Sequence, residues 1–198
     1  MYAVAINGSP RKNGNTQLLL EKVLEPLRVA GWDTEMVQVG NQKIQGCRAC
    51  LICAAQHLQC CAYSNDPFNE LFAKMLRADA LILGSPCYFT DISAELKAVI
   101  DRAGLIAFAN GGLFKGKIGA AVVAARRGGA THAFDTINHM FQMSQMILPG
   151  STYWNMGYGL DTAEVLKDTE ALANMQHLGK MIAWLGAAIA PCKGTLPV

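Results

Sequence analysis

Tyr2-Ala3-Val4-Ala5-Ile6-Asn7-Gly8-Ser9-Pro10-Arg11-Lys12-Asn13-Gly14-Asn15-Thr16 opens the chain, and Leu18-Leu19-Leu20, Val23, Leu24 and Leu27 follow at helical spacing. The apolar run reads as a strand covered on both faces, as parallel strands are. A glycine-bounded loop then delivers the chain to a helix start. The first N–H groups of a helix have no intrahelical partner and its dipole favours negative charge there, so the junction is a ready anion site. Ser9, Asn15 and Thr16 add hydroxyl and amide donors, Arg11 adds a charged fork, and Asn13 and Gln17 flank them as further candidates. The loop is not the Gly-x-Gly-x-x-Gly of a dinucleotide site. Nor is it a triphosphate loop: five residues separate Gly8 from Gly14, and Asn15 stands where that motif carries lysine. A single phosphate group fits the pattern; an ordinary βα turn with a polar cap is the alternative.

Outward from this unit, strands and helices alternate. Strands are expected at about Tyr2 to Asn7, Asp33 to Val39, Ala80 to Gly84, Ile118 to Ala125 and Ile147 to Tyr153. Helices are expected at about Thr16 to Ala30, kinked or shortened by Pro26 and stopped by Gly31, at Phe68 to Arg77, at Ile92 to Ala103 with Thr90 or Asp91 as cap, and at Thr131 to Met146. A last helix is expected from Asp161, which with Glu164 has capping-box spacing, along the stripe Leu172, Met175, Leu178, Ile182, Leu185 and Ile189. The tail after Pro191 is expected to fray. Five strands alternating with helices imply an α/β doubly wound five-stranded parallel sheet, a three-layer sandwich whose right-handed crossovers favour strand order 2-1-3-4-5. One domain of residues 1–198 is expected, with 42–67 as a cysteine-rich insertion loop.

Composition narrows the function classes. The chain has 198 residues, 52% hydrophobic, with net charge +2 and interspersed signs, so neither a nucleic-acid face nor a polybasic membrane patch is indicated. The N-terminus enters a strand at once, without an export signal, and the apolar run Met181 to Ala190 is about half the length a bilayer needs, which together point to a cytoplasmic protein. Five of the seven cysteines lie between Cys47 and Cys61, a clustering that suggests metal or redox chemistry in a reducing compartment.

Ligands of a doubly wound sheet bind beyond the carboxyl ends of the strands, where the order reverses. Three loops meet there. Ser9 to Thr16 holds the phosphate. Ser85-Pro86-Cys87-Tyr88-Phe89 offers a rigid proline, a thiol and aromatic walls, and the loop Ala125 to Ala130 offers the cationic charge of Arg126 and Arg127 beside Gly128 and Gly129, which let backbone approach a ring. A phosphate pocket, a flat apolar slot and a cationic edge fit flavin mononucleotide (FMN). Singly, Tyr88 and Phe89 also suit core packing, and the arginines a solvated turn. His132 and His139 read as structural, and no Ser-His-Asp or paired-carboxylate arrangement is indicated. In flavin enzymes the cofactor carries the electrons and the protein supplies position and charge.

On these three segments the sequence resembles the NAD(P)H-dependent FMN reductase family. Through the cysteine run and Ser151-Thr152-Tyr153-Trp154-Asn155 it most resembles the iron–sulfur flavoprotein branch. The resemblance spans nearly the whole chain. It implies a flavodoxin-like fold with non-covalent FMN: Ser9, Arg11, Asn15 and Thr16 on the phosphate, and Ser85 to Phe89 with Arg127 to Gly129 on the ring. It also implies a homodimer or homotetramer with the flavin near a subunit interface. Cys47, Cys50, Cys53 and Cys60 are spaced to wrap one [4Fe–4S] cluster, with Cys61 competing for the fourth position. A zinc site with His57 as a possible ligand, or reduced thiols without metal, are the alternatives.

The function that follows is an FMN-dependent oxidoreductase of the FMN/quinone reductase type. Electrons pass from NAD(P)H or an iron–sulfur donor through FMN to a small acceptor. No basic cluster for a 2′-phosphate marks NADPH over NADH. The rival readings are an electron carrier between protein partners such as ferredoxin, and a redox-sensing module that uses the cysteines as a switch.

Overall fold

The computed structural model describes residues 1–195. Strands β1 (Tyr2–Asn7), β2 (Asp33–Gln38), β3 (Ala80–Pro86), β4 (Ile118–Ala125) and β5 (Met156–Tyr158) form one parallel sheet in the order β2-β1-β3-β4-β5. Helices α1 (Asn15–Val29) and α6 (Thr169–Ile189) cover one face; α3 (Phe68–Arg77), α4 (Ala94–Ala109) and α5 (Ala130–Met143) cover the other. This is the expected flavodoxin-like doubly wound architecture.

Alternation along the strands sorts the core. Ala3, Ala5, Ala80, Ala120 and Ala124 face α1 and α6, while Val4, Ile6, Leu81, Leu83 and Val123 face the opposite layer. Small residues let α1 lie close to the sheet: a Cβ at Gly84 would stand 2.6 Å from Leu20 Cδ1. The helix pair packs as tightly, since a Cβ at Gly179 would fall 2.2 Å from the Val23 carbonyl oxygen and 2.4 Å from Pro26 Cγ. Pro26 does not stop α1 before Val29. Its ring removes one backbone donor, and the packing against α6 keeps the helix going.

Several boundaries differ from expectation. β3 runs on to Pro86 because Ser85 and Pro86 pair with Val123 and Ala124. α4 starts at Ala94, with Ser93 rather than Thr90 or Asp91 at the cap, and continues to Ala109, where Gly111 and Gly112, both at positive φ, end it. α5 ends at Met143.

The fifth strand is not at 147–153. Ile147 makes a lone bridge to Ile118, and the ladder forms later, at Met156. The intervening polar groups are claimed by buried Asn174 of α6. Its Oδ1 accepts from Tyr153 N and Thr152 Oγ1, and its Nδ2 donates to the Tyr153 and Trp154 carbonyls. α6 starts at Thr169, capped by Asp168, whose carboxylate accepts from Ala171 N at 3.0 Å. Glu164 does reach back to the Asp161 N–H, but the turn it closes is a 3₁₀ segment, Glu164–Lys167. The Ala190–Thr195 segment forms exposed 3₁₀ turns, and the rest of the tail lies outside the described residues. Among the described residues, no helix is long and apolar enough to cross a membrane.

Candidate functional site

β1 ends at Asn7, whose side chain sets the loop that follows: its Oδ1 accepts from Ser9 N at 3.0 Å. From below, Gln38 Nε2 donates to the Ser9 carbonyl at 2.7 Å and Asn41 Nδ2 to the Pro10 carbonyl at 3.1 Å. Gly40 passes so close that a Cβ there would sit 2.2 Å from Ser9 C. Asn13 adopts φ 53°, and its N–H is bonded by the Gln17 side chain at 2.8 Å. Gly14 caps α1 with no side-chain bond. The first-turn N–H groups therefore face the loop without an intrachain cap, as an anion site requires.

The strand ends and this loop enclose a hollow of about 180 Å³. Ser9, Arg11, Asn15, Thr16, Pro86, Cys87, Tyr88 and Arg126 line it, so all three sequence-predicted loops reach it. Asn13, Gln17, Ser85, Phe89, Arg127, Gly128 and Gly129 stand outside the lining. Ser85 is fully buried: its Oγ accepts from Ser93 N at 2.9 Å and donates to the Pro86 carbonyl at 2.7 Å, tying β3 to the start of α4. Phe89 is 98% exposed and turned to solvent. Gly129 caps α5 at φ +84°, and a Cβ there would meet Cys87 Sγ at 3.1 Å.

Ala125, the first residue of the third expected loop, lines the hollow too, as do Ala124, Gly159 and Leu160, which the sequence reading missed. The segment after β5 crosses the mouth as a strap. Asn15 holds it at both amide ends: Nδ2 donates to the Gly159 and Asp161 carbonyls, each at 3.0 Å, and Oδ1 accepts from Val165 N at 3.2 Å. Arg11 Nη1 donates to the Leu160 carbonyl at 3.2 Å. Asn15 thus shapes the hollow as much as it lines it. The short Gly157–Gly159 pair was the available sequence signal, because only backbone without Cβ fits against Val165 and Asn15.

The site is built for binding rather than for nucleophilic attack. Burial, with the Asp91 charge added, pushes the Cys87 thiol above its ordinary range and keeps it protonated. Burial also raises the Tyr88 phenol, against the pull of Arg11. His132 lies on α5, with Nε2 3.5 Å from an Asp91 carboxylate oxygen, and His139 lies on the same helix; neither lines the hollow.

The cysteine loop lies elsewhere, against α4. It is irregular except for the one-turn helix α2 (Ile52–Ala55). Cys47, Cys50 and Cys60 are exposed, Cys61 is half-buried and Cys53 is buried. Among the described residues, no three His, Cys, Asp or Glu side chains stand together at metal-binding distance. Burial raises the Cys53 thiol, against a bond from the Ala54 amide.

A flavodoxin-like sheet with a single-anion loop at its switch point defines a class: mononucleotide-binding flavoproteins. Residues 1–161 match the NADPH-dependent FMN reductase family, and the chain belongs to that family of FMN-binding oxidoreductases. It is similar to an iron–sulfur flavoprotein of Methanocaldococcus jannaschii, 32% identical over 92% of this chain and 96% of the relative. Its fold is similar to that of an NAD(P)H:quinone oxidoreductase from Methanothermobacter marburgensis, with a TM-score of 0.65 at 14% identity over 91% of this chain and 96% of the other. A flavodoxin from the domain Archaea superposes with a TM-score of 0.62 at 16% identity, over 94% and 99% of the two chains.

Proposed function

We propose that the protein binds FMN in the hollow at the β1–β3 switch point and passes electrons from NAD(P)H, or from an iron–sulfur donor, to a small acceptor such as a quinone or free flavin. The observation that carries this reading is the convergence of three strand-end loops on one hollow whose floor is an uncapped helix N-terminus. The residues fit the group. The α1 amides with Ser9 and Thr16 receive the phosphate, and Arg11 and Arg126 supply positive charge at the rim. Pro86, Cys87 and Tyr88 form an apolar edge for a planar ring. The bound flavin supplies one- and two-electron chemistry. A neutral Cys87 beside it contributes shape rather than reactivity.

The sequence spacing of Cys47, Cys50, Cys53 and Cys60, with Cys61 competing for the fourth position, suits a [4Fe–4S] cluster, which takes four thiolates, but among the described residues the loop does not gather three of these ligands. The name of the Methanocaldococcus relative supports this assignment. A cluster bound there would supply one-electron chemistry, with Cys47, Cys50, Cys53 and Cys60 or Cys61 as the residues that would hold it. The cysteine loop therefore favours a second reading, an electron carrier without a small-molecule substrate of its own.

The test is the purified protein itself, handled anaerobically. A yellow protein with about one FMN per chain, and NAD(P)H oxidation that depends on an added quinone or flavin, supports the enzyme. FMN binding without turnover, together with fast exchange with reduced ferredoxin, supports the carrier. A colourless protein that takes up no added FMN overturns both.

A further inference from the structure

A second recess, about 180 Å³ in volume, opens beside β5. Tyr153, Trp154 and Tyr158 give it aromatic walls, and Asp168, Glu170 and Thr131 bring polar groups to it. Tyr158 lines this recess and the next residue, Gly159, lines the strand-end hollow, so the two are neighbours.

The rings are displayed rather than packed. Tyr153 is 67% exposed, Trp154 55% and Tyr158 46%. The backbone beneath them is nevertheless fixed. Buried Asn174 bonds the Tyr153 N–H and the Tyr153 and Trp154 carbonyls, and its own carbonyl accepts from Ser151 Oγ at 3.0 Å. The Tyr158 N–H donates to Asp168 Oδ2 at 3.0 Å. The Tyr153 and Trp154 rings stand 5.8 Å apart between centroids at 36°, an open angle rather than a closed stack. Large apolar rings held in solvent on a rigid base mark a contact surface.

The charge of the recess has one sign. Asp168 and Glu170 are both carboxylates, and among the described residues no lysine, arginine or histidine lines it. Asp168 caps α6, and the dipole of that helix favours Glu170 in its first turn. Capping explains the acids but not the rings around them. Aromatic faces are themselves electron-rich, so rings and carboxylates act together on a cation. The neighbouring hollow, with Arg11 and Arg126, has the opposite character. Both Asp168 oxygens already accept a backbone N–H, from Ala171 and from Tyr158, so this carboxylate offers charge more than hydrogen-bonding geometry. An alkylated ammonium, which spreads its charge over methyl groups and needs no hydrogen bond, matches that offer.

We propose that this recess binds an organic cation, an alkylated ammonium group seated among the Tyr153, Trp154 and Tyr158 rings and held by the charges of Asp168 and Glu170. Such a group comes free, as in choline, or on a methylated lysine of a protein partner, and the recess reads the same chemistry in both. The contact is non-covalent. It does not rest on the flavin reading.

The experiment titrates the full purified chain calorimetrically with choline, with the uncharged tert-butyl analogue of choline, and with a trimethyl-lysine peptide. Choline is expected to bind saturably, and the analogue, which keeps the shape and loses the charge, roughly tenfold more weakly. Trp154→Leu and Glu170→Gln should each weaken choline by about 2–5-fold at an unchanged melting temperature, with Trp154→Phe retaining most of the affinity. Glu170 is exposed, so its variant carries the test alone if Trp154→Leu is unstable. Binding of either cation that depends on Trp154 or Glu170 supports the site, and the tighter of the two identifies its source. Equal affinity for the uncharged analogue makes the recess merely apolar and overturns the proposal. Choline and peptide binding undiminished in both variants lies elsewhere on the molecule and overturns it too, as does the absence of saturable binding by both cations.

Discussion

At the scale of single residues, Ser9 and Asn15 separate binding from scaffolding. Ser9 is buried and its backbone is fixed independently of its hydroxyl, by Asn7 from one side and Gln38 from the other. Its Oγ is engaged only weakly, 3.3 Å from Arg11 N, and borders the hollow. Ser9→Ala therefore removes a phosphate partner while leaving the loop in place. A hydrogen bond to a charged group is worth about 1.5–3 kcal/mol, so the FMN dissociation constant should rise ~10–100-fold with little change in apoprotein stability. Asn15 has both ends of its amide committed to the 159–165 strap. Asn15→Ala should weaken FMN as well, but should also lower the melting temperature of the apoprotein. Flavin fluorescence titration and thermal melts of the two variants check the contrast. Equal melting temperatures would place Asn15 on the ligand rather than on the strap. Residue type showed that both positions suit phosphate. It did not show that Asn15 is already occupied, because its partners lie in Gly159, Asp161 and Val165, far along the chain.

At the scale of elements, legibility followed how local the stabilising forces are. β1 and α1 were readable because burial on both faces and helical periodicity are written in consecutive residues. β5 was not. Pro149-Gly150 interrupts the run after Ile147, and Asn174, a polar residue inside an apolar helix stripe, satisfies the intervening backbone from another layer. The cysteine loop was legible as irregular, but its anchor was not. Arg102 of α4, buried beside Asp66, donates to the Gln45 and Tyr63 carbonyls on either side of the cysteines, and nothing in α4's sequence marks it as buried. That anchor gives the loop a pH dependence. Burial alone would raise the Asp66 carboxyl, yet bonds from Arg102 and from the Gln45 and Phe68 amides hold it below the ordinary carboxylate range. A native value below the unfolded one contributes stability above the unfolded value and loses it as pH falls through the native one. The loss should thus begin below about pH 4, the ordinary aspartate value, and complete at lower pH. Asp66→Asn should flatten that part of the stability–pH profile. It should also cost about 3–5 kcal/mol at neutral pH, because Arg102 is left buried without its counter-charge. Chemical denaturation at a series of pH values reads both effects, and an unchanged acid limb would show that Asp66 does not carry it.

At the scale of the whole molecule, the parallel sheet gathers its loops at one end and leaves one apolar groove uncovered on its flank. The groove runs between α4 and α5, about 570 Å³ in volume, with Ile100, Leu105, Phe108, Met140 and Met143 among its walls. Phe108 is 64% exposed and Met143 66%, and Asp91, Lys97, Asp101 and His139 ring the apolar centre. Apolar side chains inside a polar rim are the pattern of a protein–protein contact rather than of a free surface. Asp91 connects the groove to the hollow at the strand ends, since its carbonyl accepts from Tyr88 N at 2.9 Å and its carboxylate faces His132. The expected homodimer or homotetramer makes this flank a candidate for the subunit boundary, which would then come up to the Tyr88 edge of the hollow. The wild-type protein should then run as a dimer or larger in light scattering at micromolar concentration. Phe108→Glu and Met143→Glu each place a charge on the exposed centre of the groove without touching the core, so they should yield folded monomers. Because the boundary abuts Tyr88, those monomers should bind FMN more weakly while keeping the α1 phosphate loop intact. A wild type that is monomeric at every concentration, or charged variants that remain oligomeric, would put the covering surface elsewhere.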